Sequence, residues 1–214
     1  MMMPDSAPRE TAREKLLRAA LHLFVTQGFH ATPTAQISRE AGVSTGLLFH
    51  HFGDKETLVN ELYLSIKKEM AEAMRAGDDE GLPAGKRITA ILRTFILWGI
   101  SHPEERAFLD LFYHSPNICE EVKEQAYMDF VWIGEVYAGA VEQGIVADLP
   151  HPLASAIVLQ VAGAIIDVAG AGCPGLTTEE VVDAGLGVLW HGIGGASTRP
   201  DPGPDAPNHR VLPP

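Results

Sequence analysis

Within residues 32–58, TPTAQISREAGVSTGLLFHHFGDKETL, the chain signals a helix start three times and a stop twice. Thr32-Pro33 opens one helix: threonine caps, and proline suits the first helical position because an amide there would have no partner. Gly42 stops it after barely two turns. Ser44 caps the next, over about residues 44–51, and Gly53-Asp54 ends that one and caps a third. Two short helices around a tight glycine turn make a helix-turn-helix. In such a motif the second helix enters the major groove and its first residues reach base edges. Here those residues are Ser44, Thr45 and Gly46. They are small enough for close approach, carry two hydroxyls that can donate to phosphate, and sit at the positive end of a helix.

The flanking sequence is helical as well, with almost no alternating strand pattern. Thr11 and Glu14 have capping-box spacing, and Leu17, Ala20, Leu21 and Phe24 follow on one helical face. Gly28 ends that helix, and Phe29 can fold back on its last turn. After Asp54, Leu58, Leu62, Ile66 and Met70 form a stripe four residues apart. Beyond a Gly/Pro-containing break at 77–85, helices are expected over about 84–100, 103–114, 116–143, 151–171 and 178–193. Pro103, Ser115-Pro116, Pro152 and the Thr177/Glu180 pair supply their starts. The expected class is therefore all-α with about nine helices: an N-terminal three-helix head at 1–56 and a helical body at 57–196. The tail at 197–214 is expected to be disordered, since six of its last fifteen residues are proline.

A formal net charge of −12 is at first sight hostile to nucleic acid. Its distribution weakens the objection without being positive evidence for DNA binding. Residues 1–60 hold six Lys/Arg and six Asp/Glu, so the whole deficit lies in the body. Cys119 and Cys173 match no metal or redox spacing and suggest a reducing compartment. The N-terminal residues lack the apolar core of a signal peptide, and the most apolar run, 157–172, is broken by Gln160 and Asp167. The expected setting is the cytoplasm, with no membrane partner. No phosphate loop, metal spacing or nucleophile motif stands out, so neither enzyme chemistry, a metal nor a cofactor is expected.

The run Gly28-Phe29, Thr32, Ile37, Ala41-Gly42-Val43-Ser44, Gly46, Leu48, His51-Phe52, Lys55, Glu56 and Leu58 resembles the TetR family of transcription regulators in order and spacing. The match spans about residues 11–60; further on, only the plan of a helical body is shared. Carried over position by position, the resemblance implies that Thr32 and Thr34 touch phosphates. Ser44, Thr45, Gly46, Phe49 and His50 would form the groove-facing surface. Lys55 would hold a phosphate by its charge and its backbone amide, while Leu48, Phe52, Ile37, Ala41 and Val43 would pack beneath. Phe49 departs from the pattern, which usually has tyrosine: the ring stays and a hydroxyl donor is lost, a contact worth about 0.5–1.5 kcal/mol. His51 reads as structural.

For the body, the resemblance implies a small-molecule effector and a homodimer on double-stranded operator DNA. The segment 151–171 is apolar nearly all round and must be covered. With 178–193 it is expected to form a four-helix dimer interface through Ile157, Val161, Ala164, Val168, Val182, Leu186, Leu189 and Trp190; the alternative is that these residues are the chain's own core. The effector is expected to be apolar or aromatic, held by Phe95, Trp98, Phe112, Tyr113, Tyr127, Trp132 and Asp167, though these rings too could be core. The function implied is a repressor released from a palindromic operator when a small hydrophobic ligand shifts the connecting helix. An all-helical interaction protein, or an enzyme whose helix-turn-helix does not bind DNA, stays open at this point.

Overall fold

The computed structural model describes residues 10–193, and these form ten helices and no strand. The helices are α1 (Ala12–Gln27), α2 (Thr34–Glu40), α3 (Thr45–Phe52), α4 (Lys55–Ala76), α5 (Ala84–Ser101), α6 (Pro103–Phe112), α7 (Glu120–Met128), α8 (Val131–Glu142), α9 (His151–Ala171) and α10 (Thr178–Ile193). The proline-rich segment 197–214 lies outside the described residues.

Local capping chemistry sets most of the boundaries. The Thr11 hydroxyl accepts from the Glu14 amide at 3.2 Å, while the Glu14 carboxylate accepts from the Thr11 amide at 2.7 Å. The Ser44 hydroxyl accepts from Leu47 N–H at 3.2 Å, and Asp54 Oδ1 from Thr57 N–H at 2.6 Å. Each of these caps contributes about 1 kcal/mol. The same reciprocal pair, Thr177 with Glu180, starts α10. Gly28 leaves α1 at φ +79°, a conformation that a side chain would strain.

The expected single helix over 116–143 is two helices. Ile118 N–H turns back to the Ser115 carbonyl, which delays the start to Glu120. A second break falls at Asp129-Phe130. There Phe130 and Ile133 bond three residues back instead of four, and the Trp132 indole N–H takes the Asp129 carbonyl at 3.0 Å. A side-chain donor has replaced a ladder bond, and α8 starts in a new direction.

One hydrophobic cluster runs from head to body. Leu16, Leu17, Ala20, Leu21 and Phe24 of α1 meet Ile37, Leu48 and Phe52, then the Leu58–Leu62–Ile66–Met70 stripe of α4, and finally Phe108 and Phe112 of α6. The Phe24 ring lies 5.5 Å from Phe29 and 6.0 Å from Phe112, so α6 is seated directly on α1. A second cluster joins Ile96 of α5, Ala162, Ile165 and Ile166 of α9, and Val182 and Leu186 of α10. Close packing there depends on small residues, since a Cβ at Gly99 would fall 2.6 Å from Ile166 Cδ1. By length and composition α9 could cross a membrane, yet its inner side packs in this cluster and Asp167 on it pairs with Arg106.

Candidate nucleic-acid interface

The α2–turn–α3 unit is built from the inside outward. Ile37 and Leu48 are fully buried and Phe52 nearly so, which clamps the two short helices together. The Ser38 hydroxyl, buried at the crossing, is satisfied by the Thr34 carbonyl at 3.0 Å. Between the helices Gly42 sits at φ +66°, and the Val43 amide reaches back to the Ser38 carbonyl at 2.9 Å to close the turn. Leu48 and Phe52 point inward, so Ser44, Gly46, Phe49 and His50 are left outward, all exposed.

Gly46 is the most informative of them. Its backbone is ordinary helix, and a Cβ built there would meet only the Ser44 hydroxyl, at 4.0 Å. A glycine inside a helix costs about 1 kcal/mol relative to alanine. Among the described residues nothing else lies within 4 Å of the space it leaves free. Phe49 stands beside it 47% exposed, an aromatic face with no internal role. The rings of His50 and His51 meet edge to face at 5.6 Å, and His51, expected to be structural, is exposed as well. Among the described residues no three His, Cys, Asp or Glu side chains gather as metal ligands.

Two expected phosphate contacts are turned the other way. Thr32 is fully buried and does not cap α2, whose N-cap is Pro33. Its hydroxyl instead donates to the Gly28 carbonyl at 2.8 Å and the Leu23 carbonyl at 3.3 Å, tying the loop to the end of α1. Lys55 donates to the Phe29 carbonyl at 2.9 Å and the Thr32 carbonyl at 3.2 Å, with its ammonium 4.2 Å above the Phe29 ring. Carbonyls left open past a helix end attract a cation, and this one is held inside the head. Thr34 and Thr45 are partly exposed at the starts of their helices. Arg39 was missed by the sequence reading. It is the only Lys or Arg between Arg18 and Lys55, it is exposed in the last turn of α2, and it forms no ion pair among the described residues. Its isolation in the sequence was a usable signal.

The comparisons with known proteins agree with this geometry. The family model for bacterial regulatory proteins of the tetR family matches residues 16–62. A solved structure of a tetR family transcription regulator from Shewanella sp. PV-4 is 30% identical, with a TM-score of 0.74, covering 86% of this chain and 99% of that one. The chain belongs to the TetR family. Another TetR family structure, from Marinobacter aquaeolei VT8, shares the fold at 18% identity, with a TM-score of 0.79 over 86% of this chain and 96% of its own. Among curated TetR-like regulators, LmrA of Bacillus subtilis is 42% identical over 80 residues, which is 34% of this chain and 43% of that protein. The chain spans less than half the length of several such relatives it matches.

The body departs from the aromatic pocket expected for this family member. An apolar cavity of about 120 Å³ lies between α5, α8 and α9. Its walls are Ile88, Ile91 and Leu92, then Ile133, Val136 and Tyr137, then Val146 and Leu149, and then His151, Ala154, Ser155 and Val158. None of the seven expected ligand residues lines it. Trp98 and Phe112 are buried in the main core, Phe95, partly buried, packs between the two clusters, and Tyr113 and Tyr127 are more than half exposed. Trp132 is held at the start of α8 by its bond to Asp129. Asp167 is exposed and bound to Arg106 at 2.5 Å, so it is neither buried nor free. Mostly aliphatic side chains, with Tyr137 and His151, enclose the space, while Trp98 and Phe112 belong to the main core.

The expected interface residues divide too. Ile157, Ala164 and Val168 are exposed on α9, and Val161 and Trp190 are partly covered. Val182 and Leu186 are buried within the chain against α5 and α9, Leu189 is buried as well, and the three have little surface left to give a partner.

Proposed function

We propose that this TetR family member is a cytoplasmic repressor that binds a palindromic operator as a homodimer and is released by a small apolar effector. The observation that carries the reading is the outward row Ser44, Gly46, Phe49 and His50 on a helix whose opposite face, Leu48 and Phe52, is buried. Such a row fits a major groove: small residues at the helix start admit the base edges, and His50 can donate to or accept from them. Thr34, Thr45, Arg39 and the Lys55 backbone amide at the start of α4 are the proposed phosphate contacts. Residues 1–56 form the proposed DNA-binding unit and 57–196 the effector and dimer unit, with α4 as the connector between them.

Dimerisation is supported by α9. Leu153, Ile157, Gln160, Ala164, Val168 and Ala171 form one exposed stripe along α9, and Ala184 and Val188 are exposed on α10. An apolar stripe of that length calls for a partner, and a second copy supplies a self-complementary one through a two-fold axis. Two heads so related would read two half-sites. The cavity between α5, α8 and α9 is the proposed effector site. Its aliphatic walls favour an uncharged apolar molecule, with His151 and Ser155 as the polar groups that could orient it. Release follows only if the effector binds the DNA-incompetent arrangement more tightly than the competent one.

The deciding experiment is selection of bound DNA from a random pool, followed by salt-dependent gel-shift titration. A two-fold symmetric consensus bound by the dimer is expected. Recovery of no sequence at any salt concentration would overturn the proposal.

A further inference from the structure

The connector α4 and the cavity wall α8 meet through long side chains at two points. The Lys67 ammonium lies 4.1 Å from the centre of the Phe130 ring, and the Arg75 guanidinium lies 4.8 Å from the centre of the Trp132 ring. Lys67 and Arg75 are eight residues apart, about 12 Å along α4 at 1.5 Å per residue. One contact is at Phe130, just before α8, and the other at Trp132, in its first turn, so the start of α8 is tied to α4 at two points. The Trp132 ring is itself anchored, because its indole N–H spans the α7–α8 break to the Asp129 carbonyl at 3.0 Å. Lys67 is well shielded from water: burial pushes its amine down to about 8, with the Asp129 carboxylate acting the other way. In the same segment, Ile133, Val136 and Tyr137 are walls of the cavity. So the cavity walls and the residues that hold the connector lie within eight positions, from Phe130, the N-cap of α8, to Tyr137.

We propose that occupancy of the α5–α8–α9 cavity is transmitted to the connector through this double cation–π clasp, which makes Phe130 and Trp132 coupling residues of the regulator. The proposal rests on the reading of that cavity as the effector site. A close-packed interior passes strain on instead of absorbing it. A molecule that enters a cavity this small moves a wall, and the wall with a grip on α4 is α8.

The test uses toluene as an uncharged apolar probe and a DNA fragment selected from a random pool by the unaltered chain. Toluene binding is followed by ligand-observed NMR, and Ala154→Phe, which fills the cavity, should abolish it. Saturating toluene should lower DNA affinity of the unaltered chain about tenfold, within the usual range of coupling between sites. In Phe130→Leu/Trp132→Leu, which removes both ring faces, toluene should still bind but change DNA affinity by less than about twofold. If toluene binds both chains and releases DNA equally from both, or releases it from neither, the clasp is overturned and the cavity reading stands. If toluene fails to bind the unaltered chain, or binds Ala154→Phe undiminished, the cavity reading fails and takes the clasp with it. Should the double variant melt early by circular dichroism, Lys67→Met/Arg75→Met removes the same contacts from the other side, and the same outcomes decide.

Discussion

The outer faces of α3 and α9 are both left uncovered by their own chain, and they differ in what that costs. On α3 the uncovered groups are a hydroxyl, an imidazole, a phenyl ring and a bare backbone at Gly46. Water satisfies most of them, so the face is tolerable alone and needs a partner only to act. On α9 they are Leu153, Ile157, Ala164 and Val168. Each Å² of such surface forgoes about 25 cal/mol that a second apolar face would recover. In the proposed reading the α9 stripe serves assembly and the α3 row recognition. Substitutions in the two should separate cleanly, the first changing molecular mass and the second changing DNA affinity at constant mass.

The largest effect should come from Ala164→Asp, at the middle of the α9 stripe. A carboxylate buried without a counter-ion costs about 3–5 kcal/mol, enough to turn a dimer into monomers at micromolar concentration. Sedimentation equilibrium should show the halved mass, and binding to a symmetric DNA site should fall with it. A variant that keeps the mass of the unaltered protein would place the interface elsewhere. Gly46→Leu should come next. Leucine is the better helix former, so the melting temperature should hold or rise. The loss of a close approach to base edges should lower specific affinity by about 2–3 kcal/mol, roughly 30- to 150-fold. Gel shift and thermal melts on the same sample would show the two moving in opposite directions. Unchanged affinity would make Gly46 an idle residue and α3 an ordinary surface helix.

The contrast between head and body also explains what the sequence could reveal. Caps join residues three apart, so Thr11 with Glu14, Ser44 with Leu47 and Asp54 with Thr57 are written locally and were legible. The turn at Gly42 and the buried side of α3 followed from them. Thr32 misled because Thr-Pro is also a helix-start signal, and its actual acceptors are carbonyls at the end of α1, visible only once the loop has folded back. Lys55 misled for a related reason, since its partners are Phe29 and Thr32. In the body, the break at Asp129-Phe130 depends on an indole reaching its own upstream carbonyl, which no helical periodicity announces. The cavity depends on Ile91, Val136 and Ala154 converging from three helices. Aromatic content pointed to the middle of the body, but rings as large as Phe108 and Phe112 fill space, and the smaller aliphatic residues left it open.

A smaller pair of effects would sharpen the division inside the head. Lys55→Met strands two carbonyls that now share a charged donor, and should cost about 1.5–3 kcal/mol of stability. If Lys55 acts through its backbone amide, DNA affinity of the folded fraction should change little. Arg39→Ala should do the reverse, leaving the melt unchanged while the slope of log affinity against log salt falls by about one, as for the loss of one phosphate contact. Calorimetry and salt titration on both variants decide. Equal salt slopes for Arg39→Ala and the unaltered chain would remove Arg39 from the interface.

The last effect is one of pH alone and belongs to Lys67, on the helix that runs between the two faces. Its amine is held at about 8 by burial, against 10.5 when free. Between those values the unfolded chain binds more protons than the folded one, so folding stability rises with pH across that window. The penalty for burying the ammonium is thus complete below about pH 8 and is lifted as pH approaches 10.5. Lys67→Met has no proton to lose. Its melting temperature should exceed that of the unaltered chain by its widest margin at pH 7, and the margin should narrow steadily towards pH 10. Other lysines and tyrosines titrate in both proteins and cancel in the difference. A margin that stays constant from pH 7 to 10 would mean that water reaches this ammonium freely, and then the Phe130 face is not the shielded contact that a grip on α4 requires.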